Sequence, residues 1–166
     1  ITALPPDRVK VGADEAAQMN VYLRHAEPSA AWRNIGLASH DTSGARIANP
    51  PLALELHYIL SAYAAQDLDA ELLLGHALLA LHEAPVLSGA RLRALLEDSP
   101  LVDCGIDEQV EAIRIVADPL GSEELSRLWS ALQAHARPSI TCRIGVVLIE
   151  SRRFVREGLP VRERAR

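Results

Sequence analysis

Residues 49-NPPLALELHYILSAYAA-65 decide the fold. From Leu52 onward the side chains alternate, with Leu52, Leu54, Leu56, Tyr58 and Leu60 on one side and Ala53, Glu55, His57, Ile59 and Ser61 on the other. Successive side chains of a pleated strand point to opposite faces, so this period predicts a strand with one apolar and one mixed face. Leu and Ala are good helix formers, and a helix is the competing reading. Pro50 and Pro51 restrict the backbone and lack amide donors, which suits the mouth of a strand and not a central position.

Working outward, the same alternation predicts a strand over residues 19–25, ended by Pro28. Residues 139–150 form another, with Ile140, Cys142, Ile144, Val146 and Leu148 on one side. Its second face turns apolar toward the end, as in a central strand buried on both sides. Residues 109–117 also read as a strand, but Val110 and Ala112 differ in parity from Ile113 and Ile115, which leaves its start or a bulge open. A short edge strand is expected near residues 8–11. Three helices complete the pattern. Residues 67–83 carry a stripe of Leu74, Leu78 and Leu81 and a second of Leu72, Gly75 and Leu79, an apolar arc wide enough for a subunit contact as well as a sheet. Asp67 or Asp69 is the expected cap. Ser88 is expected to cap a short helix to Leu96, with Leu92, Leu95 and Leu96 inward. Ser122 is expected to cap a third helix with a stripe of Leu125, Leu128, Trp129 and Leu132. The fold class expected is α/β of the α+β kind. It is a single small domain, a mixed or antiparallel sheet of about four to five strands covered by two to three helices.

The chain has 166 residues, 49% of them hydrophobic but only 4% aromatic, so the core must be built from Leu, Ala, Val and Ile. A net charge of −5 argues against general affinity for nucleic acid or anionic membranes, and no apolar run is long enough to span a bilayer. Cys104 and Cys142 make neither a disulfide framework nor a metal cluster, and Cys142 reads as a buried hydrophobe. Phosphate-cradling loops, zinc-protease and nucleophile-elbow motifs are missing, so catalytic, cofactor and metal residues are all expected to be none. Glu55 and His57 share a strand face, where helices or a neighbouring subunit are the expected company.

Two stretches stand out as contact candidates. Trp32 and Arg33 begin a polar excursion, in which Trp32 either anchors the loop or faces a partner. Residues 151–166, with Arg152, Arg153, Phe154 and Arg156 at their head, hold six Arg and two Glu; their net charge is +4, so residues 1–150 carry −9 of the total −5. The chain thus divides into a body, 1–150, and a basic extension, 151–166. The extension reads as a solvated tail, as a strand donated to a neighbour, or, least favoured, as a nucleic-acid contact.

Five segments carry a resemblance: MNVYLRHAEPSAAWRN (19–34), NPPLALELHYILSAYA (49–64), ELLLGHALLALHEAPVLS (71–88), PLGSEELSRLWSAL (119–132) and SITCRIGVVLIES (139–151). In this order they resemble the Pvc16-like N-terminal domain family, encoded with phage-tail-like contractile injection systems. The resemblance implies a tail-terminator-like fold and a cap protein, a homohexameric ring that ends the inner tube and anchors the last sheath layer. It implies tube and sheath proteins as partners, assembly in the cytoplasm, and no membrane insertion. Lateral packing is expected to use the loops after Trp32 and around residues 98–107 together with Leu72, Gly75 and Leu79, with the arginine-rich extension reaching sheath. The family usually begins with a helical segment ahead of the Pro-Pro region, whereas this chain opens ITALPP, which leaves room for a missing N-terminal element. The alternative is an adaptor or assembly chaperone that binds tail proteins without joining the particle.

Overall fold

The computed structural model describes residues 1–12, 15–32, 49–66, 68–109 and 111–150. Its elements run β1 (Gln18–Pro28), β2 (Leu52–Tyr63), α1 (Asp69–Glu83), β3 (Val86–Leu87), α2 (Gly89–Leu96), β4 (Ile113–Ala117), α3 (Ser122–Ala131) and β5 (Ser139–Ile149). The strands form one antiparallel sheet in the order β1-β2-β5-β4-β3. The organising stretch is therefore an interior strand, and β5 is the central one.

Burial along β2 differs from the one-apolar-face expectation. Leu52, on the leucine side, is 50% exposed, while Ile59, on the mixed side, is fully buried. From Ile59 to Tyr63 every residue is buried whichever way it points. The gradient runs along the strand because its two ends have different cover. On one side α1 lays Ala70, Leu73, Leu74, Ala77 and Leu81 against a core of Met19, Leu60, Ala62 and Cys142. On the other, Asn20 stands opposite Ser61, and its amide binds the N-terminal segment. Asn20 Oδ1 accepts from Thr2 Oγ1 at 2.9 Å and from the Leu4 N–H at 3.0 Å, and Nδ2 donates to Leu4 O at 2.9 Å. Arg137 lies over the Tyr63 ring at 5.7 Å. Among the described residues the sheet is thus closed on both faces at one end only.

Several local expectations are corrected. Residues 8–11 form no strand; Pro6–Arg8 is a single 3-10 turn, and Thr2 instead makes a parallel bridge to Asn20 at the edge of β1. Asp69 is the first helical residue of α1, after Leu68, which takes the left-handed conformation with φ 68°. Ser122 likewise lies inside α3, where Gly121 is the cap and its N–H donates to Glu124 Oε2 at 3.2 Å. Ser88 does cap α2, accepting the Arg91 N–H at 3.4 Å. Leu95, expected inward, is 63% exposed. β4 begins only at Ile113, and the two residues of β3 pair with it where the helix-stopping Pro85 releases the chain.

Candidate functional site

Among the described residues, the surface features that bear on function lie on α1 and on one end of the sheet. On α1 the i, i+3, i+7 row of Leu72, Gly75 and Leu79 faces away from the core, with Leu72 and Leu79 62% and 56% exposed. A side chain added at Gly75 would meet no atom within 4 Å. The wide apolar arc therefore splits: Leu74 and Leu81 of the expected stripe, joined by Ala70, Leu73 and Ala77, seal the sheet, whereas Leu78 turns outward at 36% exposure and the row of Leu72 and Leu79 stands uncovered among the described residues.

At the end of the sheet where Pro28, Leu52 and Ile149 meet, β1, β2 and β5 bring polar side chains onto the face opposite α1. His25, His57 and Arg143 stand directly across from one another, and Glu27 stands across from Glu55. Glu55 accepts from Ser29 Oγ at 2.9 Å and from Arg143 Nη1 at 3.2 Å. His57 places Nε2 3.1 Å from Glu27 and Nδ1 3.9 Å from Asp118. Glu55 and His57 thus meet neighbouring strands and the β4–α3 link rather than helices. A groove of about 250 Å³ opens beside this lattice, lined by Ser29, Trp32, Glu55, Glu111, Arg114 and Arg143 among others. Arg33 lies outside the described residues, as do Arg152, Arg153, Phe154 and Arg156.

Chemically, the charges of this face are already engaged with one another, Arg143 with Glu55 in an ion pair and His57 in contact with Glu27. Cys142 is 2% exposed, and burial pushes its thiol up to about 11 against the opposing pull of Arg24, so it stays protonated at neutral pH. Burial, and then the neighbouring Cys142, also push Tyr58 above its usual value. No group of His, Cys, Asp or Glu among the described residues is arranged to hold a metal, and no described helix is long and apolar enough to cross a membrane. Sequence reasoning passed over Glu27, Asp118 and Arg143. Their strand parity was legible, but only the register of β1, β2 and β5 shows that they meet Glu55 and His57.

The family model described as the Pvc16 N-terminal domain matches residues 1–163. The fold is similar to a PVC sheath/tube terminator from an extracellular contractile injection system in the extended state. That match has a TM-score of 0.54 and 14% identity, covering 92% of this chain and 50% of the other. It is also similar to the anti-feeding prophage cap, which terminates a tube, with a TM-score of 0.51, 12% identity, and coverage of 99% and 55%. At these identities the likeness speaks for the fold alone, and the chain spans about half the length of either structure. No curated protein matches it.

Proposed function

We propose, from the premise that the chain belongs to the Pvc16 N-terminal domain family, that it serves as a structural cap of a contractile injection system. Copies close into a hexameric ring that ends the inner tube and anchors the last sheath layer, after assembly in the cytoplasm. The observation that carries this reading is the family match across residues 1–163. The fold likeness to two structures described as terminators supports it.

A cyclic ring joins two different patches of each copy. The outer face of α1, with Leu72, Gly75 and Leu79, serves as one, and the groove lined by Trp32 as the other, with Arg33, next in sequence, joining the contact. Arg152, Arg153, Phe154 and Arg156 contact sheath. The body, 1–150, and the extension, 151–166, are separate functional units in this scheme.

Electron microscopy of intact particles tests the role. Six copies at the end far from the baseplate are expected. Particles that lack the chain, while the free protein binds tail components, would move it to the adaptor or chaperone class.

A further inference from the structure

A second groove, of about 410 Å³, runs along α3. One wall is a helical stripe that includes Leu125, Ser126 and Trp129, and the other is the chain leaving the helix, with His135 and Arg137. The end of α3 builds that second wall. Gln133 takes the left-handed conformation, with φ 52°, its N–H donates to Ser130 O at 3.1 Å, and the Ala134 N–H turns back to Trp129 O at 3.3 Å. Residues 134–137 therefore return beside the helix. Pro138 O then accepts the Ala62 N–H at 2.9 Å, which ties the return to β2. Two features of the groove point to a ligand. Trp129 is 3% exposed, and its indole N–H is buried with no acceptor among the described residues, a donor left unsatisfied at a cost. Arg137 lies over the buried ring of Tyr63 at 5.7 Å. Stacking uses the face of a guanidinium and leaves its N–H edge for an acceptor. Between these donors the lining is apolar, from Leu125, Ala134 and Ala136 together with the indole. Donors set around an apolar floor fit a ligand that carries a carboxylate beside an aliphatic side chain.

We propose that this groove receives an acidic, leucine-bearing peptide segment of a partner protein. The carboxylate pairs with Arg137, with the His135 ring and the Ser126 hydroxyl as further donors, and the aliphatic side chain lies on Leu125 and the indole. A nucleic acid fits less well. Residues 1–150 carry a formal −9, which repels a polyanion, and one guanidinium beside an apolar floor suits a single carboxylate. The site is a property of the single chain and does not depend on the terminator role.

Trp32 and Trp129 are the two tryptophans of the chain, so Trp32→Phe leaves Trp129 as the reporter of its own groove. In that full chain, a short end-blocked peptide of alternating leucine and glutamate is expected to change the indole emission saturably. Its affinity should fall about tenfold in Arg137→Gln, which removes a charge-assisted hydrogen bond. Arg137→Lys should restore only part of the loss, because an ammonium lacks the planar fork. Since Arg137 also stacks on Tyr63, Ser126→Glu on the exposed surface of α3 serves as a second variant. It sets a competing carboxylate in the groove and should weaken binding about tenfold with the urea midpoint unchanged. Salt at about 0.5 M should weaken binding about threefold, as exposed charges are screened. No emission change at millimolar peptide, or an affinity that neither Arg137→Gln nor Ser126→Glu alters, overturns the proposal. So does equal binding of the lysine counterpart of the peptide or of inorganic phosphate, which would leave an unselective apolar slot or a plain anion site. Neither tube nor sheath enters the measurement, so failure here is distinct from failure of the cap reading.

Discussion

Asn20 is fully buried, yet its amide makes three hydrogen bonds, all to the first four residues. Alternation puts it with Tyr22 and Arg24 on the side opposite Met19, Val21 and Leu23; the N-terminal segment that buries it is remote from any local pattern. Asn20→Ala removes those partners and is expected to cost about 1–3 kcal/mol in urea denaturation. It should also speed hydrogen exchange at the Leu4 amide. Cys142 makes a pH prediction whose sign follows from linkage. Its folded-state value of about 11 lies above the 9.0 of the unfolded chain, so the native state binds more protons in that interval. Its contribution to stability is complete below pH 9 and is lost as pH rises toward 11. Urea midpoints measured across that range should fall, and Cys142→Ala should flatten most of the slope, leaving the smaller part due to Tyr58, which shifts in the same direction.

At the level of the element, α1 separates what holds the fold from what is free to serve a partner. Leu74 packs against the core, and Leu74→Ala is expected to cost about 2–3 kcal/mol. Leu72→Ala, on the exposed row, should change stability by no more than about 0.5 kcal/mol. Gly75→Ala is more telling, because an added methyl meets nothing. It should stabilise the isolated chain by about 0.5–1 kcal/mol in thermal or urea melts, since Ala is the better helix former. If α1 joins copies closely, the same substitution weakens ring formation, as sedimentation would register. Gly89 behaves in the opposite sense, since a Cβ there would run into the carbonyl oxygen of Asp107. The periodicity of Leu72 to Leu81 announced two apolar stripes; which one the sheet would take depended on the approach of β1 and β2. The caps show a similar limit. Asp69 and Ser122 carry good capping side chains, but each lies one residue inside its helix, because the entering chain turns at Leu68 or Gly121.

For the whole molecule, the sheet order places β2 and β5 inside, paired over nearly their full length. Native-state hydrogen exchange should therefore be slowest at the buried ends of these strands, around Ile59–Ala62 and Thr141–Cys142, where opening requires global unfolding. Residues 23–28 of β1 and the two of β3, at the sheet edges, should exchange first. The sequence by itself determined the kind of elements and their approximate spans. Side-chain periods of two and 3.6 act through nearest neighbours along the chain, so Leu52 to Tyr63, Ser139 to Ile149 and the helices were legible. It also carried the family resemblance, a property of the order of segments. Tertiary structure alone decided that β2 is buried by position along the strand rather than by face, because its cover comes from α1 and from Thr2 and Leu4 far away in sequence. It alone assembled the lattice of Glu27, Glu55, His57, Asp118 and Arg143. Those contacts depend on the register between strands up to 88 residues apart, which no local pattern encodes.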